Sequence, residues 1–396
     1  MNKYRIVTLF TFILSPLLSI PFILRGIYNR EKGSAFFMAL LVGVFAFLTA
    51  PCGDLARHTR IYFMYQDMSF SAFLLTLKGD FIIQTLSFSL AKAGIHYDFL
   101  RLFLTTTAFY LLIKIFNFQI EHSSRTYSRS EIWFRFIILA LSFDFFTTVL
   151  GVRFGFAISL FIYAVHLWLD QGKKGKAIVS ALLSCFVHFS MFYFLVFMLC
   201  MSLFKASRLT FILLIAACLV LSRTVPDQLS AYMETKELQG AGYLGNGQWG
   251  TGMQYTFNGL MFRYIRELVA LPLAFLVFHH SRRAPRWSSL MLSLIALYAL
   301  TSSFATISGR LIWIFYAMTV FYLLHMERCG VRFSRMTLNA IFCCAILFSG
   351  ASWYARREVM AVSRYQYALL PVPVALHTHY SKTWISRRLD KEYATQ

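Results

Sequence analysis

A single arginine, Arg153, interrupts the apolar stretch TTVLGVRFGFAIS (147–159), which joins FIILALSFDFFTTVL (136–150) to FGFAISLFIYAVHLWL (154–169). A cation near the centre of a bilayer costs about 2.5–3.5 kcal/mol even on permissive insertion scales, so its presence asks for a chemical reason. Polar groups recur at the ends of other apolar runs: Asp54, Arg57 and His58 in PCGDLARH, Arg263 and Arg266 in FNGLMFRYIREL, and Arg310 in TISGRLIWIFY. His188 stands in the middle of SALLSCFVHFSMFYFLVFMLC. Guanidinium groups stay charged and present a planar fork of donors that fits phosphate oxygens, so two or three of them suit an anionic lipid head, with a diphosphate as the natural ligand. They would neutralise a leaving diphosphate as its charge develops. His188 or Asp54 is then the group to orient or deprotonate an attacking hydroxyl. The chain has no DxD sequence and its outer carboxylates do not cluster. Departure is therefore expected to need no metal, and the reaction no cofactor.

Plainer readings stand beside these. Arg263 precedes Glu267 by four residues and fits an intrahelical ion pair. Arg153 and Arg310 lie just after glycines at span boundaries, where a long cation can snorkel to headgroups. His188 suits a core histidine bonded to a neighbouring helix. Asp144 and His166, inside apolar runs, are expected to join helices rather than to react.

The elements that must hold these groups follow from composition. Of 396 residues, 58% are hydrophobic and only 14% charged, with a mean hydropathy of +0.60; soluble domains carry about a quarter charged residues. The apolar runs are long and do not alternate, which excludes a transmembrane β-barrel. The longest polar interval, about 223–258, is too short to bury a core of its own. Residues 1–396 thus read as one integral membrane domain, all-α and polytopic.

The net charge of +21 comes from 38 Lys and Arg against 17 Asp and Glu. It gathers in short clusters between apolar runs: RGIYNREK (25–32), RTYSR (125–129), KKGK (173–176), KASR (205–208), RRAPR (282–286) and ERCGVRFSR (327–335). That is the pattern of cytoplasmic loops, and it leaves no basic aromatic face for nucleic acid. Seven cysteines with no CxxC give neither a disulfide framework nor a zinc site. The first apolar run, from Ile6, lacks a cleavage pattern and contains Pro16 and Pro21, so it reads as a retained span.

Placing the basic clusters in the cytoplasm predicts about twelve spans: 6–24, 35–52, 98–119, 134–150, 154–170, 177–189, 190–204, 209–223, 258–280, 287–307, 311–326 and 336–354. Both termini then face outward. Residues 54–97 are expected to form interfacial or re-entrant helices, and the run through His188 a broken helix beside a wet outer pit. Residues 222–259 form a periplasmic loop whose Gly, Tyr, Trp, Gln and Asn side chains suit sugar rings. In this register Asp54, Arg57, His58, Arg153, His188, Arg263, Arg266 and Arg310 all lie at the outer face, where the positive-inside rule does not account for them.

GDLARHTRIYFMY, GVRFGFAISLFIYAVHLWLDQGKKGKAIVSALLSCFVHFS and GRLIWIFYAMTVFYLL resemble the successive signatures of the EpsG-like group of Wzy-type polysaccharide polymerases, in order and spacing over about residues 35–330. One departure is Phe154, where the family often has Gln. The resemblance implies a broadly GT-C-like fold in the bacterial inner membrane, polyprenyl diphosphate-linked glycans as substrates, and a chain-length regulator protein as a further partner beside the bilayer. The leading expectation is an O-antigen polymerase in which Arg153 and Arg310 bind the diphosphate, helped by Arg263, with Arg57, His58 and Arg266 also on the substrate. A flippase or transporter of the same lipid-linked glycan, or an O-antigen ligase, is the alternative.

Overall fold

In the computed structural model the described residues are 3–31, 33–77, 79–203, 207–222, 257–302 and 304–394, with positions 224, 228, 231 and 232 between. Most of the expected loop at 222–259 lies outside the described residues. Among those residues every regular element is a helix. The first are α1 (Lys3–Leu14), α2 (Ile20–Tyr28), α3 (Ser34–Leu48), α4 (Asp54–Asp67), α5 (Phe70–Thr76), α6 (Phe81–Lys92) and α7 (Tyr97–Glu121). Next come α8 (Arg129–Ser142), α9 (Phe145–Leu150), α10 (Val152–Leu169), α11 (Lys174–Val187), α12 (Met191–Leu203) and α13 (Arg208–Leu221). The remainder are α14 (Phe257–His280), α15 (Pro285–Leu300), α16 (Ala305–Arg328), α17 (Arg335–Ala355), α18 (Arg357–Val362), a 3-10 turn at Tyr365–Leu369, α19 (Val372–Ala375) and α20 (Lys382–Ala394).

Four of these, α7, α10, α16 and α17, are long and apolar enough to cross a membrane. The helices at 54–92 are 14, 7 and 12 residues long, short of the roughly 20 that a span needs. Several expected spans are split. Residues 6–24 break between α1 and α2 because Pro16 lacks an amide donor, while Pro21 sits in the first turn of α2, where no donor is missed. The run at 134–150 divides at Asp144, whose carboxylate accepts the Phe146 and Thr147 amides at 3.3 and 3.0 Å and so caps α9. Ser352 of α17 donates to the same carboxylate at 2.6 Å, the joining role expected for Asp144. The run through His188 also breaks as expected, with α11 ending at Val187 and α12 starting at Met191.

The core is threaded by α16, on which Trp313, Tyr316 and Tyr322 are buried. Helices α3 and α7 approach through Gly43, where a Cβ would fall 2.9 Å from the Leu102 carbonyl oxygen. Small residues give such close contacts in lipid, where packing replaces the hydrophobic effect between helices.

One end of the bundle collects the basic clusters. Arg129 donates to Asn29 at 3.1 Å, and Ser124 to the Arg328 carbonyl at 3.2 Å. At the same end the side chain of Asp170, just past α10, is fully buried. It accepts from His166 (2.7 Å), His325 (2.6 Å), Arg328 (3.0 Å), Trp287 (3.2 Å) and Gln119 (2.5 Å). This carboxylate ties α7, α10, α15 and α16 together, and it accounts for His166 as a joining residue.

Candidate active site

At the other end of α10 the chain builds a second polar cluster. Helix α9 abuts the first turn of α10 at Gly155, where a Cβ would fall 2.7 Å from the Thr148 Cα. Only glycine permits that approach, and it fixes the direction of the neighbouring Arg153. The Arg153 guanidinium donates through Nη1 to Asp80 Oδ2 at 2.6 Å. Asp80, 3% exposed, turns its other oxygen to the Phe189 amide at 2.8 Å. Asp80 precedes α6 but makes no cap bond to it. Its carboxylate instead clamps the start of α10 to the break after His188.

At that break His188 is extended, with φ −149° and ψ 115°, and 4% exposed. Its Nδ1 contacts Ser190 Oγ at 2.8 Å, and its ring lies 5.3 Å from Phe154 and 5.4 Å from Phe189. Phe154, the position at which the family resemblance departs, also carries the Arg310 guanidinium on its face at 5.0 Å. It touches Trp313 at 5.6 Å, and Trp313 touches Phe143 at 5.3 Å. Beyond Phe143 opens an apolar cavity of about 370 Å³, lined by residues that include Met38, Phe109, Phe136, Phe146 and Trp353.

Asp54, Arg57 and His58 share the first turns of α4, and Asp54 pairs with both neighbours, His58 at 3.2 Å. Burial opposes ionisation of Asp54, yet the His58 hydrogen bond and the charges of His58, Arg57 and Arg153 outweigh it and hold the carboxyl well below its usual range. Burial lowers His58, and Arg153 and Arg57 lower it further, against the pull of Asp54. His188 and Arg310 share the Phe154 ring, Asp80 joins Arg153 to the Phe189 amide, and the Arg153 charge reaches Asp54 and His58, so α4, α10, α11 and α16 meet around one site.

The remaining two expected residues form an adjoining group. Arg263 pairs with Glu267 at 2.8 Å, the intrahelical alternative, and donates to the Ser302 carbonyl at 3.1 Å. Arg266 lies over Phe262 at 4.3 Å, and its guanidinium packs against Gly309, 3.3 Å from where a Cβ would sit. Gly309 adjoins Arg310, so α14 reaches the edge of the cluster.

The sequence profile of the EpsG family matches residues 34–368, from the start of α3 to the 3-10 turn. The chain belongs to the EpsG family. Members of that family are Wzy-like polymerases. No curated protein and no solved structure matches the chain.

In this EpsG-family member the structure places six of the eight expected residues together and adds Asp80, which was not among them. The one signal for Asp80 was local. It is the sole acidic residue between 68 and 97, and it directly precedes an apolar run, FIIQ. A lone acid in so apolar an interval has to find a cation, and the nearest unexplained one in the fold is Arg153.

Proposed function

We propose that this EpsG-family chain is a polymerase of the bacterial inner membrane. It would join polyprenyl diphosphate-linked repeat units at the periplasmic face. The growing glycan leaves its polyprenyl diphosphate and passes to a hydroxyl of the next lipid-linked unit. The observation that carries this reading is the seat of Arg153: Asp80 engages Nη1 of a five-donor guanidinium, with Arg310 held nearby on Phe154. Three arginines, Arg57, Arg153 and Arg310, face two carboxylates, Asp54 and Asp80, and so favour an anion. The apolar cavity, which the packed rings of Trp313 and Phe143 divide from Phe154, suits the isoprenoid part of the same lipid.

The Asp54–His58 pair supplies the base. His58 is 13% exposed and bonded to a carboxylate that orients it, whereas His188 is more deeply buried and its Nδ1 is engaged by Ser190. His188 is therefore a positioning residue that shapes the break and carries Phe154. As base, His58 must be neutral. Its value lies below the ordinary 6.5, so it is neutral at pH 7 and gains a proton only as pH falls through that lowered value. The kcat/KM of the polymerase should accordingly decline on an acid limb whose midpoint lies below 6.5, and His58→Gln should remove that limb at a much lower rate. An acid limb that persists unchanged in His58→Gln would remove His58 from this role.

Purified protein reconstituted with lipid-linked repeat unit tests the whole reading. Polymer and released polyprenyl diphosphate are expected together. Transfer to a different lipid without polymer would indicate a ligase, and movement of intact substrate across the bilayer a flippase. The face is tested separately. In a background without native cysteines, an impermeant thiol reagent added outside should modify Gly245→Cys and spare Lys174→Cys. The opposite pattern would put the Arg153 cluster in the cytoplasm.

A further inference from the structure

Away from the Arg153 cluster, the first turn of α7 meets a segment that arrives from far along the chain. His96 precedes α7, and its Nδ1 accepts the Asp98 amide at 3.3 Å. The same Nδ1 lies 3.1 Å from Asp98 Oδ2. His379, 281 residues later, brings its own Nδ1 to 3.3 Å from that oxygen. The two imidazoles stack with centroids 3.9 Å apart and planes at 25°. We propose that His96, Asp98 and His379 bind one first-row divalent cation of the zinc class, which fastens the segment around His379 to the N-terminal end of α7.

The three ligand atoms lie within 4.8 Å of one another, and the two contacts to Asp98 match the edge of a tetrahedral site. A tetrahedral centre with ligands at about 2.0–2.1 Å separates neighbouring ligand atoms by about 3.3 Å. Two imidazole nitrogens with one carboxylate oxygen prefer zinc and its neighbours to magnesium or calcium, which seek oxygen-rich shells. The carboxylate is held for this purpose. Its other oxygen is bound by Arg101, fully buried, which also donates to the Thr49 and Phe47 carbonyls at 3.0 and 2.9 Å. Such outer support fixes a ligand's direction. Hydrogen bonding alone accounts for the trio less well. His96 Nδ1 has a single lone pair, now turned to the Asp98 amide at 3.3 Å, and beside a carboxylate oxygen at 3.1 Å; a cation between nitrogen and oxygen takes that lone pair in place of the long amide contact. The His96 and His379 side chains are 19% and 30% exposed, which leaves water access for a fourth ligand. His379 also lies outside residues 34–368, so membership of the EpsG family does not predict it.

The test uses the full chain in detergent, without a polyhistidine tag, stripped by a chelator and then titrated with zinc or magnesium chloride. Elemental analysis after desalting should find one zinc per chain. Zinc, but not magnesium, should raise the melting temperature by about 3 °C or more. His96→Gln and His379→Gln should each bind zinc about tenfold or more weakly and lose the zinc-dependent shift, while their metal-free melting temperatures stay near that of the stripped wild type. His122→Gln should behave as wild type. The proposal is overturned if stripped wild type takes up no zinc with no shift, or if both Gln variants retain full zinc binding. None of these readouts depends on polymerase activity.

Discussion

Arg153→Ala is expected to abolish polymer formation while the protein reaches the membrane at normal abundance. Arg153→Lys should depress it strongly. If Arg153 serves only to balance Asp80, lysine is an adequate replacement, because an ammonium can reach the same carboxylate oxygen. If it also binds a diphosphate, the planar fork of donors is what matters and lysine lacks it. Loss of one donor aimed at developing charge costs about a hundredfold to a thousandfold in rate. Because the alanine variant leaves Asp80 buried without its cation, Asp80→Asn is the companion. Asn keeps an acceptor for the Phe189 amide and relieves the unpaired charge, so Arg153→Ala combined with Asp80→Asn should recover stability without recovering polymer. Recovery of a full-length glycan ladder by the double variant, or a normal ladder from Arg153→Lys, would show that the residue is an anchor.

The opposite end of α10 should respond in stability rather than in chemistry. Asp170 takes donors from four helices, among them the Arg328 cation. Removal of one partner from a buried, hydrogen-bonded charge group leaves the others uncompensated and costs about 3–5 kcal/mol. Asp170→Ala should therefore lower the melting temperature of the purified protein sharply and reduce its abundance in membranes, and Asp170→Asn should do so less. Any protein that survives should keep an unchanged KM, since the cluster around Arg153 lies a full helix away. An Asp170→Ala protein with wild-type melting temperature and abundance would mean that apolar packing alone holds that end together.

These two ends of one helix also show what sequence discloses and what it hides. That the chain is helical, apolar and basic between its runs is written in composition, and the break at His188 was legible because its apolar run is too long for one helix and too short for two. Asp144 was legible as a joining residue but not as the cap of α9, because no turn residue accompanies it in FIILALSFDFFTTVL. The pair of His166 and Asp170 lies four residues apart on one helix face and can be read directly. Their partners His325, Trp287 and Gln119 cannot, being separated from Asp170 by 155, 117 and 51 residues with no repeating pattern to connect them. Asp80 and Arg153, 73 residues apart, are hidden for the same reason. The family resemblance narrowed the chemistry, yet it pointed to the amide absent at Phe154 and not to the cation that the aromatic ring supports there.

The segment that ends near His379 has a further consequence, for the order in which the protein is made. Leu17, at the bend between α1 and α2, gives its amide to the Ala368 carbonyl at 2.9 Å. Ala50 gives its amide to Ser363 Oγ at 2.9 Å, and the Leu48 carbonyl accepts from the Arg364 amide at 3.0 Å. Groups inserted among the first are thus completed only by residues translated among the last. At about 5–20 residues per second the interval is on the order of 20 seconds or more. Throughout it the nascent protein carries these backbone donors and acceptors without the partners that the folded chain supplies. A chaperone or protease that reads such groups has a simple means of telling a finished polymerase from a truncated one.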